Sequence, residues 1–225
     1  IELQEVIEIK NENIARDWGI FEGQLLVMIH SGSRGLGHQI GEDYMSLAKS
    51  KTYGEPHPSR KLCYIPLDTK EGENFVKAMC AGANSAFANR HIMTLLVKKN
   101  FFYHYPNSKI DLLYDVPHNI AKLEDHFGKK SLCSPIHGAG RQLSRTQAAG
   151  KVSYRDGKVL KEGAISDEEF RKSMEGITLI CENKHTIKEE APQAYKDIDE
   201  VIRVVEGAKL ASVVAKMKPL AVLKG

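Results

Sequence analysis

The stretch SPIHGAGRQLSR, residues 134–145, gathers residue types that could do chemistry on phosphorus. His137 stands directly before Gly138-Ala139-Gly140, with Arg141 and Arg145 following. The glycines let a ligand come close to the main chain. The arginine forks suit phosphate oxygens. An imidazole in that setting is a nucleophile, a base or a metal ligand. Acting as the nucleophile, it would attack phosphorus and form a phosphoramidate. A divalent metal would then neutralise phosphate charge and orient the displacement, and Arg141 could stabilise the equatorial oxygens. Two of the other histidines share this local grammar. His30 ends an apolar run and enters a loop with Gly32, Gly35 and Gly37, and His118 follows a Pro and precedes Asn119. Imidazoles on separate strand ends suit a borderline metal such as Zn, Mn or Fe. The same residues, read blandly, are turn and packing residues.

The elements that must position these residues follow from pattern. IELQEVIEI is expected to be a strand. Residues 24–29 form an apolar run of strand length, residues 31–37 a Gly-rich loop, and a helical pattern begins near Gln39. Such a loop resembles an anion nest, although its glycine spacing is neither Walker A nor GxGxxG. The longest helical pattern is GENFVKAMCAGANSAFANRHIMTLLVKKN, in which Asn84 and Asn89 call for partners. IDLLYDVPHN is expected to be a strand ending in a Pro-His-Asn turn, with a short helix after it. SYRDGKVLKEGA is expected to be a hairpin turning at Asp156-Gly157. Ser166 is expected to be an N-cap, ITLICEN a strand, and the remainder two helical stretches and a terminal strand. The fold class expected is α+β, a mixed β-sheet core with helices around it, in one domain over residues 1–225.

Bulk composition narrows the class. Of 225 residues, 42% are hydrophobic and 27% charged, which is ordinary for a globular protein with a core. A net charge of +3 does not announce a nucleic-acid binder, since a basic patch can hide in a balanced total. The cysteines at 63, 80, 133 and 181 form no CxxC pair, so neither a disulfide framework nor a zinc ribbon is indicated. That usage points to a reduced, cytoplasmic or otherwise intracellular setting. No apolar run approaches the ~20 residues that span a bilayer, so no membrane partner is expected.

Six segments, IHSGSRGLGHQIGEDY, NFVKAMCAGANSAFANR, YDVPHNIAK, HGAGRQLSR, EEAPQAYKDIDEV and the terminal LKG, together resemble the RtcB family of RNA-splicing ligases. They occur in the family's order across the chain. The resemblance implies a GTP- and Mn2+-dependent ligase joining RNA 3′-phosphate or 2′,3′-cyclic phosphate ends to 5′-hydroxyl ends. Its substrates would be tRNA halves or broken RNA ends, and an archease-type activating protein is a possible partner. It implies that His137 is guanylylated and that His30 and His118 ligate manganese. It places Asn119 and His137, Gly138, Ala139 and Gly140 around the GTP phosphates and ribose. Glu2, Tyr195 and Lys224 fall where the family holds guanine, and Arg34 and Arg141 would meet phosphates of RNA or nucleotide. A carboxylate accepting from guanine N1 and N2 would reject adenine, and stacking on Tyr195 would be base-tolerant.

The resemblance also has gaps. The family's upstream Asp, Cys and Gly-Asn-His-Phe have no counterpart, and the chain opens where that last motif would end. Only 120–136 separate the His-Asn and His-Gly-Ala-Gly-Arg segments, so residues are expected to be omitted at the Lys130-Ser131 join. The alternative is a non-catalytic RNA- or nucleotide-binding relative that has lost the full metal site. A generic phosphate-binding α/β protein using the SGSRGLG loop is a further rival, distinguished by binding without a covalent adduct.

Overall fold

A computed structural model describes residues 1–51, 53, 63–117, 138–153, 158–182 and 187–224. In chain order the elements are β1 (Glu2–Ile9), α1 (Glu12–Trp18), β2 (Leu25–Met28), α2 (Gly35–Ser50), α3 (Lys70–His104), α4 (Arg145–Ala149), β3 (Gly150–Val152), β4 (Val159–Glu162), α5 (Asp167–Ser173), β5 (Thr178–Cys181), α6 (Ile198–Gly207) and β6 (Ala215–Lys224). Two 3₁₀ turns, Ile187–Glu190 and Pro192–Ala194, lie between β5 and α6. The chain divides into two compact units. One joins Ile1–Met28 to Leu123–Gly225, and the other is Ile29–Lys122.

The discontinuous unit is built on a four-stranded sheet of order β2-β1-β6-β5. β1 runs antiparallel to both neighbours, and β5 pairs with β6 in parallel. The sheet is therefore mixed, and with the helices of the chain the class is α+β, as expected. β6 carries Pro219, which has no N–H to give. The ladder shifts register between Leu3 and Gln4, beside Gln4↔Pro219, and β5 pairs with β6 only from Ala221 onward. A bulge is where a strand accommodates a proline. Val6 of β1, only 1% exposed, is the largest wholly buried side chain among the described residues.

A second core lies under the 138–145 segment. Ala148, Ile165, Ala191 and Ala194 pack together, with Leu143, Phe170 and Tyr195 against them. Small side chains let backbones approach closely. A Cβ on Gly163 would run into the Ala148 carbonyl, and one on Gly150 into the Lys161 carbonyl. β3 and β4 pair antiparallel, so the expected hairpin forms, starting three residues earlier than its pattern suggests. Its Asp156-Gly157 turn lies outside the described residues. Ser166 caps α5 in a full capping box with Glu169.

The second unit pairs α2 with α3. α2 starts at Gly35, inside the glycine loop, so the loop proper is residues 31–34 rather than 31–37. α3 is 35 residues long, held at its start by Thr69, whose hydroxyl accepts from Gly72 N.

Two expectations fail. Residues 110–117 lie in no strand, because no described strand offers them a ladder. Of the two helical stretches expected over the last residues only α6 forms; the expected terminal strand does form, as β6, and both its flanks find partners.

Candidate functional site

Arg141, Tyr195 and Lys224, chosen from distant parts of the sequence, converge in the discontinuous unit. The backbone sets the first pair. Gln142 and Leu143 donate to the Ala194 carbonyl at 2.9 and 3.1 Å, and Lys196 N donates to the Gly140 carbonyl at 2.9 Å. An isolated antiparallel bridge then puts Arg141 opposite Tyr195. The guanidinium sits over the Tyr195 ring, 4.9 Å from its centroid. Its Nε donates to the Leu143 carbonyl at 3.1 Å, Nη1 to Tyr195 Oη at 3.1 Å, and Nη2 to the Glu189 carbonyl. Arg141, expected on phosphate, thus spends most of its donors clamping protein.

The group shared by all three is Glu190. Tyr195 Oη donates to Glu190 Oε2, Arg141 Nη1 lies 3.4 Å from the same oxygen, and Lys224 Nζ is 3.3 Å from Oε1. Partial burial alone would push the Glu190 carboxyl up. The Tyr195 hydrogen bond, the Lys224 ammonium and the Arg141 guanidinium outweigh that and hold it below the ordinary carboxylate value. Burial, then the neighbouring carboxylate, push the Tyr195 phenol up. Arg145 reaches the adjacent Glu189, Nε to Oε2 at 3.6 Å.

Glu2 joins this side of the sheet. It pairs with Val222 across the β1–β6 ladder, and Lys224 lies two residues beyond Val222, so all three side chains share one face. Gln4 Nε2 donates to Glu2 Oε2 at 2.9 Å, and Ile1 N to the Leu223 carbonyl at 2.9 Å. Gly138, Ala139 and Gly140 run into Arg141. Gly140 takes φ +74°, a left-handed conformation that favours glycine. A Cβ on Gly138 or Gly140 meets nothing within 4 Å, so there is open space over this backbone. Gly138 also borders an apolar groove of about 280 Å³ lined by Ile198, Val201, Ile202 and Val205 of α6. His137 itself lies outside the described residues.

In the Ile29–Lys122 unit, His30 follows β2 and is exposed. Arg34 caps α2 with φ 55° and ψ −136°, a strained backbone for a residue with a Cβ. His118 and Asn119 lie outside the described residues. Beneath the loop, α3 supplies a clamp that residue patterns did not single out. Arg90 is only 8% exposed. Its Nε donates to Asp115 Oδ1 at 2.5 Å, Nη1 to the Ser31 carbonyl at 3.1 Å, and the guanidinium stacks 4.7 Å from the Phe87 centroid. Asn89, flagged from sequence as an amide needing partners, donates to Ser31 Oγ and the Gly32 carbonyl, both at 2.9 Å. Asn84 is exposed and needs no such partner. Arg90 thereby fixes the segment after His30 and the segment before His118. A lone arginine in an apolar helical pattern was the available signal for it. For Glu190 it was the paired acid in EEAPQAYK.

Among the described residues, no group of three His, Cys, Asp or Glu side chains could hold a metal ion, and of the two expected ligands only His30 is described. The described residues do not by themselves make a manganese site. No described helix is long and apolar enough to cross a membrane.

A mixed-sheet α+β protein with a glycine turn, an Arg-Tyr pair and a shared carboxylate is the class these features define. The family model for tRNA-splicing ligase RtcB matches residues 1–133 and 127–225, and the chain belongs to that family. It is 36% identical to the tRNA-splicing ligase RtcB of Nanoarchaeum equitans and 33% identical to that of Thermococcus kodakarensis, over 100% of this chain and 57% of each relative. Against the Pyrococcus furiosus protein of the same name it is 34% identical over 100% of this chain and 29% of the relative. The chain thus spans little more than half the length of the first two relatives. The first of these alignments runs over 287 positions against 225 residues here, and the two family matches overlap at 127–133, which includes Lys130 and Ser131.

Proposed function

We propose that this chain carries the nucleotide-handling part of an intracellular RNA ligase with an RtcB-type fold. It would join RNA 3′-phosphate or 2′,3′-cyclic phosphate ends to 5′-hydroxyl ends, using GTP and manganese, in tRNA splicing or RNA repair. The observation that carries this reading is the convergence of Arg141, Tyr195 and Lys224 on one carboxylate, in a chain whose whole length matches the family. Manganese enters through the family resemblance alone.

The steps use the chain's own groups. A neutral His137 ring nitrogen attacks the α-phosphorus of GTP, forming an N–P bond as pyrophosphate leaves. A 2′,3′-cyclic end is first opened by water, which breaks the P–O2′ bond and leaves a 3′-phosphate; a 3′-phosphate oxygen then takes the GMP, breaking the N–P bond and freeing the imidazole. The 5′-hydroxyl attacks that phosphorus, and GMP departs as the phosphodiester forms. The open backbone at Gly138 and Gly140 supports a phosphate lying close to main-chain N–H groups. Tyr195 and Lys224, with Glu2 on the same sheet face, would hold the base. RNA is the macromolecular partner in this reading, and an archease-type activator a second.

The test is labelling with α-labelled GTP and manganese, followed by denaturing electrophoresis. A His–GMP adduct should form that is acid-labile and alkali-stable. His137→Ala should abolish adduct and ligation while GTP binding stays within about tenfold. His126→Ala and His185→Ala should leave both intact. GMP recovered on any other residue would sink the mechanism. GTP binding without an adduct in the full-length protein would favour the non-catalytic alternative.

A further inference from the structure

We propose that Glu190 is a positioning residue that holds Tyr195 and Lys224 in the orientation in which they take a 6-oxopurine base. The inference rests on the reading above.

Three remote stretches meet at this carboxylate: the turn before α4, the 3₁₀ pair, and the end of β6. Its oxygens divide the contacts, Oε1 facing Lys224 and Oε2 facing Tyr195 and Arg141. The Tyr195 hydroxyl donates to Glu190 and accepts from Arg141, so both of its roles are filled and the ring is fixed from two sides. The guanidinium over the ring is the third restraint. The Lys224 ammonium has three donors. The carboxylate fixes its direction and leaves donors for a ligand. Those free N–H donors favour an acceptor edge, the carbonyl of a 6-oxopurine, over the amino group of a 6-aminopurine. A lysine side chain loses rotamer freedom when it is ordered. Glu190 orders it before the base arrives, which is the physical content of preorganisation.

The experiment uses the full-length protein with Glu190→Gln and Glu190→Asp. One readout is the GTP concentration for half-maximal self-labelling against the maximal rate. The other is titration of Tyr195 by 13C NMR of its Cζ. Glu190→Gln should raise the half-saturating GTP about tenfold, about 1.4 kcal/mol. The maximal rate should stay within about threefold. Glu190→Asp should recover most of the loss, and if Glu190→Gln fails to fold it must still show a rise of about threefold. Tyr195 should titrate lower in Glu190→Gln, since the anion that retains its proton is gone. Unchanged half-saturation in both variants overturns the proposal. Lys224→Ala and Tyr195→Ala serve as controls. If the wild type labels but these controls leave GTP use unaltered, the base-site reading fails. If the wild type takes no label, the ligase reading fails. Either result overturns the base-positioning role as well, and the Tyr195 titration then reports whether the carboxylate still holds the hydroxyl.

Discussion

Arg90 and Glu190 show how single charged groups organise this protein. Among the described residues of its unit Arg90 is the buried polar one, paired with Asp115 and holding the Ser31 carbonyl. Breaking a buried pair strands the other charge. Arg90→Ala should therefore destabilise the protein by about 3 kcal/mol in urea unfolding, whereas Arg145→Ala, whose side chain is mostly exposed, should cost under about 1 kcal/mol. Glu190 and Tyr195 set a pH window. The Glu190 carboxyl is held below its ordinary value, so its contribution is present above the ordinary carboxylate pKa of about 4.3 and fades as pH falls through the lower folded value. The Tyr195 phenol is raised, so its contribution is present below about pH 10 and is lost as pH rises through the higher folded value. The stability difference between wild type and Glu190→Gln should be flat between those limits and shrink in acid. A difference that grew below pH 4 would contradict the pairing.

At the scale of elements, local chemistry and close packing act separately. The capping box at Ser166 satisfies two backbone donors of α5. Ser166→Ala should cost about 1 kcal/mol, read as a shift in the urea midpoint. Gly41 sits inside α2, where a Cβ would meet open space, so Gly41→Ala should stabilise by up to about 1 kcal/mol. Gly163→Ala should cost about 2 kcal/mol, because the Ala148 carbonyl occupies the place of the new methyl. The start of α5 and the β3–β4 pairing were legible from sequence because a cap and a turn act over a few residues, whereas α2 was placed four residues late and α1 gave no signal that was read. The missing strand at 110–117 was not, because apolar alternation gives a strand only where a neighbouring strand supplies its ladder.

For the whole chain, the order of strands makes both ends structural. β1 and β6 sit at the centre of the sheet, and Leu223 N donates to the Ile1 carbonyl at 2.8 Å. Removing Ala215–Lys224 would strip β1 and β5 of their common neighbour. That deletion should abolish cooperative thermal unfolding of the sheet, seen by circular dichroism. Deletion of Lys224 and Gly225 alone should keep the fold and weaken GTP use. A cooperative melt after the longer deletion would refute the central place of β6.

The sequence by itself determined the family and the α+β class, and it supplied the residue types that the proposed phosphorus chemistry would use. Those signals lie in short segments such as HGAGRQLSR and EEAPQAYKDIDEV, each readable without knowing what it touches. Tertiary structure alone decided that Arg141 clamps a tyrosine, that Glu190 joins three remote stretches, and that Arg90 braces the loop after His30. The physical reason is range. Caps and periodicities are set by neighbours along the chain, but a buried charge is defined by partners some 25 to 59 residues away, which only folding brings within hydrogen-bonding distance.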